Sequence, residues 1–454
     1  MQKIAAKQAL TEAGWQDNVE IGVEKGRISY IKEAAGPADE RVSLVLPAPL
    51  NLHSHAFQRA MSGLTEARGP DGSDSFWSWR RLMYRFLDQL TPDQVQAIAA
   101  QVFLEMLEAG YASVAEFHYL HHDREGNPYT NLGEMSGRIV EAAKDVGIGL
   151  TLLPVLYQYG GCDARPLNGG QRRFGNDPDR FQRLHEAAAR TVASGPADFD
   201  IGVAPHSLRA VDAEGLARSI ALGGNGPIHM HLAEQVAEVD EVIGHMGARP
   251  TEWLLANQDV DARWCLIHAT QMTEAETRGL AKTGAVAGLC PITESSLGDG
   301  IFNGTQYLAD GGRIGFGSDS NVHIALFDEL RTLEYSQRLR DRSRAALANR
   351  DHSTGRVLFD AANAGGAQAG GRECGVLAPG MLADMVGLDL DNEWGVGRRG
   401  DMALDTLIFG GHGHDCITDI WSAGRHVVKG GRHVARDRIT MEFVKAMGEL
   451  EQVI

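Results

Sequence analysis

The sequence predicts a (β/α)8 barrel with a small β-sandwich domain formed by both chain termini. Three observations predict it. Apolar, strand-like segments alternate with stretches of helical apolar spacing through the middle of the chain. Each strand segment is almost continuously apolar, the pattern of parallel strands covered on both faces. The composition is β-like both before and after that region, so residues 1–47 and 376–454 are assigned to a composite β domain and residues 48–375 to the barrel. An open doubly wound sheet is the runner-up; a Gly-x-Gly-x-x-Gly stretch after an early strand would favour it, and none is present.

In chain order, Ile21 to Ile31 reads as a hairpin around Lys25-Gly26. The barrel strands are then Val42 to His55, Ala112 to Tyr119, Gly149 to Tyr157, Phe199 to His206, Pro227 to Glu234, Trp264 to Ala269, Ala285 to Thr293 and Arg313 to Ser320. Helical spacing runs over Asp93 to Leu107, Ser136 to Val146, Arg180 to Val192 and Glu274 to Ala281. Gly110, Gly147 and Gly284 follow the first, second and fourth of these as stops. A last long helix, Leu326 to Leu347, ends the repeat, and β-like sequence returns at Gly380 to Asp389 and Thr418 to Arg432.

With 454 residues, 43% of them hydrophobic, the chain can bury one large core and a smaller one. A formal net charge of −17 argues against nucleic acid or an anionic membrane as partner. An anionic substrate would need local arginines to overcome that field. Five cysteines, odd in number and without a Cys-x-x-Cys spacing, point to a reducing cytoplasm. The N-terminus has no long apolar segment, and no run approaches the roughly 20 apolar residues a membrane span needs, so the expectation is a soluble protein.

A barrel builds its active site where strands end. The first strand ends in His53 and His55, whose i, i+2 spacing puts both rings on one face. The fifth ends in His229-Met-His231-Leu-Ala-Glu234, the sixth in His268 and the eighth in Gly317-Ser-Asp319-Ser. Singly these are ordinary: a strand-end histidine is more often a hydrogen-bonded core residue, and Gly-Ser-Asp-Ser is helix-capping chemistry. Jointly, at four strand ends, they point to one divalent metal held by His53, His55, His231 and Asp319, with His229 as the alternative to His231. Three neutral nitrogens and one carboxylate suit Zn²⁺ first and Fe²⁺ as well. The only lysines between residues 44 and 375 are Lys144 and Lys282, both in helical stretches, so a second metal bridged by a modified lysine is not expected. A metal of this kind lowers the pKa of bound water toward neutrality. Glu234 is then the candidate proton shuttle, His268 the group that holds the attacking oxygen, and Asp319 the carrier of the second proton.

The spread pattern His53-x-His55, His231-Leu-Ala-Glu234, His268 and Ser318-Asp319, followed by Gly375 to Asp384, resembles the amidohydrolase superfamily over nearly the whole chain. The stretches Asn51 to Glu66 and Phe76 to Phe86 are similar, more narrowly, to the formimidoylglutamate deiminase family. Ala48 departs from the glycine that family favours after the proline. The resemblance implies a β-sandwich built by both ends, a homodimer, and hydrolysis of N-formimidoyl-L-glutamate in histidine degradation. It also implies substrate contacts at Gln58, Arg80, Tyr119, His206 and Arg209. A dicarboxylate needs cationic receptors, and arginine pairs with carboxylates bidentately. Arg81 competes with Arg80, because register in the aromatic-rich insertion from Thr65 to Phe86 is not readable; that insertion is either a lid or a subunit contact. His118, His121 and His122 are taken either as structural or as supports behind the site. Two other functions compete: a related aminohydrolase acting on a purine or pyrimidine ring such as guanine, and a catalytically dead barrel kept as a binding protein.

Overall fold

In the computed structural model, residues 1–64, 66 and 83–452 are described. The first four strands are β1 (Gln2–Thr11), β2 (Gly14–Glu24), β3 (Arg27–Glu33) and β4 (Glu40–Pro47). The expected hairpin joins β2 to β3: Lys25 and Gly26 both take positive φ, 51° and 81°, the two-residue turn that matches strand twist. The expected long strand from Val42 to His55 is in fact two. Pro47 and Pro49 cannot donate to a ladder, and the chain changes sheets there, from β4 to β5 (Leu50–Ser54).

The barrel then runs through β6 (Ser113–His118), β7 (Gly149–Leu156), β8 (Asp200–Ile201), β9 (Ala204–Pro205), β10 (Ile228–Leu232), β11 (Trp264–His268), β12 (Val286–Leu289) and β13 (Arg313–Phe316). All its pairings are parallel. β8 and β9, the expected strand Phe199 to His206, are one strand interrupted at Gly202; both pieces pair with β7. Two bridges close the ring, Val203 with Ile228 and Ser54 with Asp319. At the second closure a Cβ on Gly317 would meet the His53 backbone at 2.7 Å, so only glycine lets the last strand reach the first.

Three expected elements are corrected. The seventh strand stops at Leu289 and a short helix, Pro291–Leu297, carries Thr293, because Pro291 is well placed at a helix start and poorly placed in a ladder. The helix from Leu326 stops at Asp341, and the repeat ends instead with Thr354–Gly370. That helix is rich in glycine and alanine. A Cβ on Gly365 would meet the Ile314 carbonyl oxygen at 2.0 Å and one on Gly366 the Leu50 carbonyl oxygen at 2.7 Å, so its poor helix formers are what let it lie against the sheet. The C-terminal region, expected to be β-like, also contains helices Asp401–Phe409 and Arg436–Glu451.

The chain ends add β14 (Met385–Leu388), β15 (Ile417–Ser422), β16 (Arg425–Lys429) and β17 (Arg432–His433). With the first four strands they form one sheet in the order β17-β16-β15-β14-β4-β1-β2-β3. The far edge turns back: Arg27 in β3 bridges to Leu382, just before β14. Ile4, Ile21, Ile28, Val45, Met385 and Trp421, from strands spread across the sheet, therefore share one small core separate from the large barrel core. Among the described residues no helix is long and apolar enough to cross a membrane.

Candidate active site

The strand alternation that buries apolar side chains on one face of β5 aims His53 and His55 into the barrel mouth. Their ring centroids lie 4.6 Å apart, and His231 from β10 lies 4.8 Å from His53. Asp319, in the loop after β13, is pinned by the ring closure: its N–H donates to the His53 carbonyl at 2.9 Å. One ligand atom from each of His53, His55, His231 and Asp319 falls within 4.8 Å of the others. His229 is not in that group; its Nε2–H donates to the Ala369 carbonyl at 2.8 Å.

The chemistry of this donor set fits a metal ion. Both ring nitrogens of His53 and Nδ1 of His231 are buried without a hydrogen-bond partner among the described residues, which costs energy unless something else binds there. Burial drives the His53 pKa down to about 3 and lowers those of His55 and His231, so their lone pairs are free of protons. The Nδ1–H of His55 donates to the Phe117 carbonyl at 3.0 Å, leaving its Nε2, 3.3 Å from Asp319 Oδ1, as the donor atom. Burial pushes the Asp319 carboxyl upward, but the imidazoles around it hold it below the usual carboxylate range.

Beside this cluster stand Glu234 and His268. Burial raises the pKa of Glu234, which prepares it to carry a proton. Burial opposes charge on His268, yet Glu234, Glu294 and Asp319 surround it and lift its pKa to about 10. His268 Nε2 lies 3.9 Å from Glu234 Oε1 and 3.7 Å from Asp319 Oδ2. His268 and Asp319 both have positive φ, 69° and 45°, an uncommon conformation for residues other than glycine.

One cavity joins these groups to Gln58, Tyr119, His206 and Arg209. Gln58 Nε2 donates to the Tyr119 hydroxyl at 2.8 Å, and Gln58 Oε1 is buried with no partner among the described residues. The His206 ring stacks on His231 at 5.0 Å. The Arg209 side chain is only 11% exposed; Glu238 and Glu234 keep it firmly charged against burial, and its Nε has no hydrogen-bond partner among the described residues. Arg80, Arg81 and most of the insertion lie outside the described residues, although Met83 and Tyr84 from its end line the cavity. His121 and His122 are tied to the Val155 and Gly175 carbonyls, at 3.0 and 2.8 Å, as expected of structural histidines.

Sequence reasoning missed Tyr157 and Phe174 in the cavity wall, and the buried carboxylates Glu116, Glu238 and Glu294 behind it. Glu116 accepts the Ala56 N–H at 2.7 Å, and burial pushes its pKa up to about 8. Glu238 accepts the N–H of Glu234 at 3.0 Å and lies 3.8 Å from Arg209 Nε. Its place four residues after Glu234, at a helix start, was a usable signal; the others contact the site only through tertiary packing.

A closed parallel barrel with such a mouth is the architecture of metal-dependent hydrolases, and here the comparison with known proteins agrees. Residues 44–427 match the model of the Amidohydrolase family, and the chain belongs to that family. Residues 1–43 match the N-terminal domain of formimidoylglutamate deiminase HutF. Over 99% of this chain and 100% of the relative, the sequence is 47% identical to formimidoylglutamate deiminase from Pseudomonas aeruginosa. The crystal structure of an amidohydrolase from Brucella melitensis superposes with a TM-score of 0.95 at 51% identity, covering 99% of this chain and 100% of that one. A zinc-bound adenosine deaminase from Xanthomonas campestris shares the fold at 20% identity and TM-score 0.82, over 99% and 98% of the two chains.

Proposed function

We propose that this chain hydrolyses N-formimidoyl-L-glutamate to N-formyl-L-glutamate and ammonia, as a step of histidine degradation. In this reading it is a cytoplasmic homodimer with one zinc ion per chain, iron(II) being the competing metal. What supports the substrate is the opposition, in one cavity, of the hydrolytic groups to the largely buried Arg209, together with the 47% identity to a formimidoylglutamate deiminase.

His53, His55, His231 and Asp319 would hold the metal, which when bound supplies Lewis acidity and makes water acidic near neutral pH. Glu234 takes a proton from the attacking water as the new C–O bond forms at the formimidoyl carbon. His268 donates from Nε2 to the adding oxygen. Glu234 passes its proton to the terminal nitrogen, Asp319 takes the second water proton, and that proton leaves with the nitrogen as the C–N bond breaks and ammonia departs. Arg209 pairs with one substrate carboxylate through its planar fork and Arg80 with the other. Gln58, Tyr119 and His206 line the path between the two ends of the substrate.

The test is ammonia release by purified protein from N-formimidoyl-L-glutamate, before chelation, after it and after zinc return, with guanine and adenosine as rival substrates. Turnover that disappears on chelation and returns with zinc is expected. Ammonia from guanine or adenosine with none from formimidoylglutamate would sink the reading.

A further inference from the structure

We propose that Glu294 is a positioning residue for the hydrolysis: its carboxylate fixes the His268 ring with Nδ1–H turned toward it, so that Nε2 is presented to the reacting oxygen. The identity of the reaction here rests on the deiminase reading; the orientation of the ring rests on geometry alone.

Glu294 Oε1 lies 3.2 Å from His268 Nδ1. The same oxygen accepts the Cys290 N–H at 2.9 Å, at the start of helix Pro291–Leu297, so it is anchored by backbone before it meets the ring. Glu294 is only 5% exposed, which leaves water little room to compete for that contact. A carboxylate can only accept, so the imidazole must place its proton on Nδ1 there. The opposite nitrogen makes no such contact: its distances to Glu234 and Asp319, 3.9 and 3.7 Å, are too long for hydrogen bonds and suit groups that share a small molecule between them.

The backbone under the ring is held by its own bonds: the Ala269 N–H donates to the Leu232 and Ile267 carbonyls, both at 3.0 Å. His268 and Ala269 are consecutive non-glycine residues with positive φ, 69° and 48°. Each is a disfavoured conformation, and such strain persists only where surrounding contacts over-determine it. The rival explanation is that Glu294 merely satisfies the Cys290 N–H. In that case removing it would leave the His268 ring as it is.

The test compares metal-loaded wild type with Glu294→Ala and Glu294→Gln, by turnover, metal content and ¹⁵N NMR of histidine-labelled protein. The His268 signals are assigned by their disappearance in His268→Gln. In wild type, His268 should show protonated Nδ1. In Glu294→Ala that signal should shift and broaden, as Nδ1–H loses its partner and the ring its single orientation. There kcat should fall about 10- to 100-fold, the usual cost of losing such a support, with KM within about threefold and metal content unchanged. Glu294→Gln still accepts from both N–H groups without charge, so it should recover most of kcat while its Nδ1 resonance shifts. Should the alanine variant not fold, the glutamine variant carries the test. Unchanged His268 resonances, or a kcat loss matched by metal loss, overturn the inference. Wild type that fails to turn over formimidoylglutamate strikes the deiminase reading alone, because the NMR comparison still decides the role of Glu294.

Discussion

The barrel buries a charged cluster at each end, and the two are built on opposite principles. At the floor, Arg372 donates to Asp384 Oδ2 at 2.7 Å and to Asp198 Oδ2 at 2.9 Å, while Arg425 holds Asp198 through both oxygens, at 2.7 and 2.8 Å. Arg425 also reaches the Gly147 carbonyl, and Asp384 accepts the Ala423 N–H, so the cluster stitches the starts of β7 and β8 to the terminal sheet. At the mouth, by contrast, the nitrogens of His53 have no hydrogen-bond partner among the described residues, and His268 faces two carboxylates across gaps too long for hydrogen bonds. Removing one partner of a buried, fully paired charge is costly, because it strands the other. A buried polar group left waiting holds a place for a ligand. The difference lies in satisfaction, since Arg372, Asp198 and Asp384 are as hidden from water as His53, His268 and Asp319, and at the floor Arg425 is partly exposed.

Four experiments sharpen or break that contrast. Glu234→Gln at the mouth should lower kcat by about 10²–10⁴-fold, the range for a lost proton-transfer group, with metal content and unfolding midpoint unchanged. Near-full activity would remove Glu234 from the chemistry. At the floor, Arg372→Met leaves Asp384 and Asp198 short of a partner, and denaturant unfolding should show a loss of about 3–5 kcal/mol. Its folded fraction should keep wild-type kcat; a kcat loss without destabilisation would erase the distinction between the two ends.

Smaller effects follow. Arg209→Ala should cost about 1.5–3 kcal/mol of substrate binding, a rise in KM of roughly tenfold to a hundredfold, without changing metal content. An unchanged KM would detach Arg209 from the carboxylate. The smallest effect concerns pH. Burial raises the Asp198 carboxyl, but the bonds from Arg425 and Arg372 outweigh it and hold its pKa below the ordinary 3.8. A depressed folded-state pKa gives stability that is complete above the unfolded pKa and is lost as pH falls through the folded one. Stability should therefore fall on acidification below about pH 4, and Asp198→Asn, less stable at neutral pH, should show a flatter acid limb. An identical slope in both proteins would mean that the floor cluster does not titrate as a paired unit.

Much of the mouth was legible because its signals are local. His53 and His55 share a strand face by spacing alone, and His231, Glu234 and His268 stand at ends of apolar runs that mark themselves as buried strands. Elements failed where local preference yielded to packing. The helix Thr354–Gly370 carries glycines that argue against a helix, and they are there because the sheet leaves no room for a Cβ. Glu294 was missed because it stands just past the segment read as strand, Ala285 to Thr293, and a run of apolar residues up to Cys290 gives no warning that Pro291 opens a helix.

By itself, then, the sequence set the period of the barrel and offered the candidate metal donors and the candidate proton carrier, all from local patterns at the ends of single strands. The tertiary structure alone decided which donors meet. His229 and His231 share a strand face, with His229 the second choice on paper; in the structure His229 is spent on the Ala369 carbonyl and His231 joins the cluster. The closure of β13 on β5 sets Asp319 beside His53, 266 positions apart in sequence. Distance between residues far apart in a chain is fixed by packing and ring closure, and no local periodicity encodes it.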